Sequence, residues 1–166
     1  REEQVFQTGR IVDTYLSLSG GNENSNFFLS MGDLNQEGIY RGVSDYRRST
    51  LRLNASRKLG KIFKARSNAT YARTTSNRIQ TGSNLKGLYL GMLRAAPDFD
   101  GSDYIGNYFS SPEASPIVNR HRSYRRYLGN NSNPIYNNPL WTINELENST
   151  TVNRFIMSNE ISIKPV

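Results

Sequence analysis

No cysteine occurs anywhere in this chain, so neither a disulfide framework nor a thiolate metal site is open to it. The one histidine, His121, has no second imidazole with which to ligate a metal and no thiol nucleophile to activate. No run of about 18 apolar residues exists, which excludes a membrane-crossing helix. The same absence leaves a membrane β-barrel open, because barrel strands are short and apolar only on alternate residues. Apolar residues are scarce altogether: 36% of the chain, tyrosine included, with a mean hydropathy of -0.66. Nineteen asparagines and thirteen glycines among 166 residues favour extended strands and loops over packed helices. The chain opens on Arg1-Glu2-Glu3, with neither Met nor an apolar leader, and reads as a mature piece or a fragment.

What is abundant is positive charge. The net charge is +7 and the isoelectric point about 9.8. That balance suits a polyanion partner, an acidic ligand, or a polar lumen lined with lysine and arginine.

Four stretches of the first half alternate with the period of two that marks strands. Leu16 and Leu18 oppose Tyr15, Ser17 and Ser19; Phe27, Leu29 and Met31 oppose Phe28, Ser30 and Gly32. Leu51, Leu53 and Ala55 oppose Arg48, Thr50, Arg52 and Asn54, while Phe63, Ala65, Ala69 and Tyr71 oppose Lys64, Arg66, Asn68 and Thr70. A fifth stretch, "NRFIMSNEISIKP", follows after a long interval. Strands are expected near 13–20, 26–35, 46–57, 61–73 and 152–164, with a long loop over 75–150. The connections run short, long, short, very long, which is the order of a barrel with tight turns at one end and excursions at the other.

Inside the long interval, Leu85, Leu88, Tyr89, Met92 and Leu93 recur at helical spacing. Ser83 or Asn84 is positioned to cap the start and Pro97 to stop the helix, against the weakening effect of Gly87 and Gly91. Beyond Pro97 the composition predicts irregular loop. "DFDGSD" clusters three carboxylates, but it lacks the glycine position and distal glutamate of a calcium loop, and a solvated acidic turn is the expectation. "RHRSYRRY" interleaves arginine and tyrosine as a polyanion contact would, but a solvated loop with its arginines paired to nearby acids is the expectation.

Charge placement separates the two faces. Arg48, Arg52, Lys64 and Arg66 share one parity, whereas the apolar parity carries charge only near strand ends, at Asp33, Arg47 and Arg57. Asn159 and Ser67 interrupt the apolar parity. A soluble sheet with one solvated face yields the same alternation, so periodicity leaves two readings: a barrel wall, or a soluble basic β-rich module that binds a polyanion such as nucleic acid.

The segment "LSLSGGNENSNFFLSMGDLNQEGIYRGVSDYRRSTLRLNAS" resembles the early barrel region of SusC/RagA-like TonB-dependent outer-membrane transporters of Bacteroidetes. The likeness rests on Ser19-Gly20-Gly21, Phe27-Phe28, Gly32 to Gly38, and Tyr46 to Asn54, in that order. Asp33 departs from it, standing where an aromatic is usual. "NNPLW" and the stretch after it look like that family's loop exit and next strand. The likeness covers most of residues 8–75 and 137–166.

What the resemblance implies is an all-β fold, about five antiparallel strands of a plugged transmembrane barrel of about 22 strands, in the cell outer membrane. Phe27, Leu29, Met31, Leu51, Leu53, Phe63 and Tyr71 would face lipid; Arg48, Arg52, Asn54, Lys64, Arg66 and Asn68 would face the lumen. The 75–150 loop would be extracellular, with Tyr104, Tyr108, Arg122, Arg125, Arg126 and Trp141 as candidate ligand contacts. Implied partners are a SusD-like surface lipoprotein, the TonB complex through parts absent here, and a glycan or peptide oligomer. No catalysis, metal, cofactor or nucleic-acid partner is expected under this reading.

Overall fold

The computed structural model describes residues 2–79, 82, 87–108, 117–124 and 136–164. Antiparallel sheet dominates it. Five long strands pair in the order β1-β2-β3-β4-β7: β1 is Ile11–Gly21, β2 Ser25–Glu37, β3 Asp45–Leu59, β4 Phe63–Asn77 and β7 Ser149–Ile163. A small hairpin joins β5, Ile105–Tyr108, to β6, Ile117–His121. Short helices whose bounds fall among the described residues are α1 (Glu2–Val5), α2 (Leu88–Arg94) and α3 (Pro139–Glu145).

The tight connections have identifiable causes. Between β1 and β2, the Asn22 side-chain carbonyl accepts from the backbone N–H groups of Asn24 and Ser25, each at 2.9 Å, so one side chain folds the whole turn. Between β3 and β4, Gly60 adopts a φ of 69°, a left-handed conformation that only glycine takes without strain. The connection from β2 to β3 runs through 38–44, and that from β4 to β7 spans 78–148.

The chain divides into two compact units. One comprises Arg1–Gly9, Gly38–Ser44 and Asn77–Asn148; the other comprises the five long strands. The first unit has a core. Val5, Leu88, Met92 and Ile143 are its buried apolar residues, flanked by Phe6, Tyr40, Val43, Ile79 and Leu140. The sheet unit has none among the described residues; its one buried side chain is Ser30. It is a single layer.

Two expectations for the long interval need correction. Helix α2 begins at Leu88 after Gly87, which makes no side-chain cap, and ends at Arg94, before Pro97. Ser83, Asn84 and Leu85 lie outside the described residues. Leu88 and Met92 are buried, but Tyr89 and Leu93 are exposed, so the apolar stripe is only half used. Gly91 supports the helix, because the Asn137 carbonyl oxygen approaches to 2.6 Å of where a Cβ would stand. The tract beyond Pro97 is also not wholly irregular: it contains β5, β6 and α3. These elements run four to seven residues, too short for periodicity to reveal, and distant segments hold them in place.

Candidate functional site

Register decides which side chains share a face. Leu16, Met31, Leu51 and Tyr71 are successive cross-strand partners, and Leu18, Leu29, Leu53 and Ala69 form the next rung. Gly20, Phe27, Ala55 and Ser67 form a third, with Phe63 at the turn end opposite Leu59. Side-chain bonds bring β7 into the same scheme. Ser67 Oγ donates to Asn159 Oδ1 at 2.8 Å, and the Tyr71 hydroxyl donates to Asn153 Oδ1 at 3.0 Å. Phe155, Met157, Ile161 and Ile163 share the parity of those two asparagines and therefore this face. The two polar interruptions, Ser67 and Asn159, thus satisfy each other.

This face is oily and uncovered. Leu16, Leu18, Met31, Phe155, Met157 and Ile161 are each more than half exposed, Ile161 at 74%. Moving one such side chain fully out of water is worth about 1.5–3 kcal/mol, and a whole domain's stability margin is about 5–15 kcal/mol. A sheet with this surface needs an apolar medium or layer against it.

One rung beyond Tyr71 the same face turns polar. Asp33 accepts from Ser49 Oγ at 2.6 Å and from Arg47 Nε and Nη2, both at 3.2 Å. Arg73, opposite Ser49, completes the rung and is a cation that sequence parity had passed over. Asp33 and Arg47 neutralise each other there.

The opposite face carries the other named residues. Ser30, Arg52 and Thr70 are partners, as are Phe28, Asn54 and Asn68, and likewise Asn26, Ser56 and Arg66. Arg48 lies between Leu34 and Thr74, and Lys64 opposes Lys58. Arg66 Nη1 meets Glu160 Oε2 at 3.5 Å, with both side chains about half exposed. An open hollow of about 380 Å³ lies over Phe28, Asn54, Asn68, Lys64 and Arg66.

In the first unit, Asn138 ties three segments together. Its Oδ1 accepts from the Leu140 N–H at 2.9 Å, capping α3 ahead of Pro139. Its Nδ2 donates to the carbonyls of Gly101 and Arg122, each at 3.0 Å, and its own N–H donates to His121 Nε2 at 2.9 Å. Arg122 is largely enclosed: Nη1 donates to the Asp100 and Asp103 carbonyls at 3.2 Å, and the guanidinium lies 5.1 Å from the Phe99 ring centroid. Asp100 accepts from the Ser102 N–H at 2.9 Å. That backbone bond first, then the Ser102 hydroxyl and the Arg122 charge, hold its carboxyl below the usual range.

Of the loop residues read as ligand contacts, Trp141 stacks 4.7 Å from His121, and the Tyr104 carbonyl accepts from the Arg122 N–H at 2.8 Å. Tyr108 lies in β5 with its side chain outside the description; Arg125 and Arg126 lie outside the described residues. A separate cleft of about 480 Å³ in this unit is lined by Arg41, Asn77, Asn144 and Glu147 among others, and none of the loop residues named above lines it.

The described strands form an all-β, antiparallel sheet with an apolar face on one side and an excess of positive charge on the other. The chain is 29% identical over 112 residues to TonB-dependent receptor P3 of Formosa agariphila, a stretch covering 64% of this chain and 11% of that receptor. The chain therefore spans about a tenth of the length of this relative, and the similarity supports a relation to TonB-dependent receptors. No family model matches the chain, and no solved structure does.

Proposed function

We propose that this chain is a five-stranded segment of the barrel of a TonB-dependent transporter of the SusC/RagA type, located in the outer membrane. The observation that carries this reading is the uncovered apolar face, backed across the sheet by a face that bears Arg48, Arg52, Lys64 and Arg66. In β4 the apolar face runs from Phe63 to Tyr71. Those eight steps span about 26 Å along the strand and about 20 Å once tilted by about 40°, close to the apolar band of about 25 Å in such barrels. The β1 and β7 edges would continue into further strands, since an open edge of that length invites aggregation.

In this reading Phe27, Leu29, Met31, Leu51, Leu53, Phe63 and Tyr71 meet lipid, and Arg48, Arg52, Asn54, Lys64, Arg66 and Asn68 line the lumen. The 75–150 region is extracellular, where Tyr104 and Trp141 stand near incoming substrate and a SusD-like lipoprotein. Transport is gated passage of a glycan or peptide oligomer, energised through TonB, without covalent chemistry.

The test is on the full-length parent. It should fractionate with the outer membrane, migrate faster in unheated than in heated detergent gels, and lose uptake when a protonophore dissipates the energy source. A parent that purifies as a monodisperse monomer in plain buffer would instead support the soluble polyanion-binding module.

A further inference from the structure

The charge on the non-oily face is one-sided. Arg48, Arg52, Lys58, Lys64 and Arg66 share it by register. Arg154 joins them, because the Arg66–Glu160 contact sets the even-numbered residues of β7 on this side. Asp13, a partner of Leu34, and Glu160 are the acids of this face among the described residues. Glu160 is shared between Arg66 and the Ser162 hydroxyl. Arg48, Arg52 and Lys64 stand in no ion pair among the described residues.

In the middle of these cations lies an unusual rung. Phe28 shares this face with Ile11, Tyr15, Leu34 and Tyr46, and is set apart from them by its cross-strand neighbours, the two amides Asn54 and then Asn68. Asn26, Lys64 and Arg66 border the same hollow, whose volume of about 380 Å³ lies within the range of small-ligand sites. The chemistry is complementary to one kind of molecule. The negative face of an aromatic ring attracts the electropositive C–H face of a sugar ring. Amides donate to and accept from hydroxyls, and guanidinium and ammonium groups bind carboxylate or sulfate by charge-assisted hydrogen bonds.

Resting on the transport reading, we propose that the Phe28–Asn54–Asn68 hollow is a contact site for an acidic oligosaccharide. Phe28 stacks on a sugar ring, the two amides bond its hydroxyls, and Lys64 and Arg66 meet its anionic groups. Arg52 stands one rung above and extends the track. Glu160 is shared by Lys64 and Arg66, so a neutral oligomer would leave the positive charge of this track in excess.

The test uses the full-length transporter in detergent micelles, with calorimetric binding of four probes of equal length. These are an oligo-uronate, a sulfated neutral-sugar oligomer, an uncharged oligomer and an acidic peptide. The expected result is at least tenfold tighter binding of one or both anionic glycans than of the uncharged one, weakening as salt rises. Preference between the uronate and the sulfated oligomer identifies the anionic group. Lys64→Gln with Arg66→Gln should remove that discrimination, and Phe28→Ala should weaken the anionic glycan about tenfold while leaving its salt dependence in place. Equal affinity for the uncharged oligomer or the acidic peptide overturns the proposal. So do variants that bind as the parent does, and variants that shift only the melting temperature, which would mean the cations serve an acidic segment of the same polypeptide. A nitroxide at Leu53 of the same protein, reconstituted in liposomes, reports lipid or water independently, so failure of the transport reading is seen separately.

Discussion

Replacing Asn138 by alanine removes three side-chain hydrogen bonds at once: the cap on α3 and the donors to the Gly101 and Arg122 carbonyls. Asn138 is buried, and the carbonyls it leaves behind lose their donor. A loss of about 2–4 kcal/mol from the first unit follows, at about 1–3 kcal/mol for an orphaned buried group and about 1 kcal/mol for a cap. Asn138→Asp keeps the cap and turns an acceptor toward the two carbonyls, and should be no better. Faster hydrogen exchange at the Leu140 amide in Asn138→Ala, and a lower melting temperature in both variants, check this. At Asp100 the folded carboxyl titrates below its ordinary value of 3.8 because the Ser102 N–H favours the charged form. The stability it contributes is therefore complete above about 3.8 and is lost as the pH falls through the lower, folded value. Asp100→Asn should flatten that acid dependence, read as local protease resistance between neutral pH and pH 3. None of this was legible in the sequence. "DFDGSD" announces an acidic turn and the arginines are expected to pair with nearby acids, as Arg122 does with Asp103 at 3.8 Å, but only the fold shows Arg122 drawn inside against Phe99 and the Asp100 carbonyl.

At the scale of elements, the long strands were readable because their two faces carry different chemistry over many residues. The flaws in the pattern were not readable, for a geometric reason. Ser67 and Asn159 are separated by 92 positions, and no local period can reveal that each answers the other. Removing one partner should expose that dependence. If this face meets lipid as proposed, Ser67→Ala or Asn159→Leu alone leaves a polar atom unpaired there, whereas the double substitution relieves it. A double-mutant cycle in vesicles should give a coupling of about 0.5–1.5 kcal/mol. A coupling of zero would mean the two side chains meet water instead. The short elements of the first unit escaped for a different reason. Four to seven residues cannot carry a period, and α3 exists because Asn138, Pro139 and the packing of Ile143 place it.

Across the whole molecule, the account depends on the separation of two surfaces by one layer of backbone. Leu53 and Arg52 are adjacent, yet substitution should affect them oppositely. Leu53→Arg puts a charge at mid-band on the oily face, and the full-length parent in lipid vesicles should lose about 2–4 kcal/mol of stability in denaturant titration. Arg52→Leu, on the wet face, should change stability by far less and reduce the affinity for anionic oligomers. The alternation also explains why periodicity alone left two readings open: a solvated sheet over a soluble core has the same period.

That separation can be read directly along β3. With no native cysteine in this chain, nitroxides placed one at a time at Thr50, Leu51, Arg52, Leu53, Asn54 and Ala55 of the full-length parent, in liposomes, report their surroundings by collision with oxygen or a water-soluble nickel complex. The account predicts strict alternation, with oxygen dominant at Leu51, Leu53 and Ala55 and nickel dominant at Thr50, Arg52 and Asn54. Equal nickel access at Leu53 and Arg52 would contradict it.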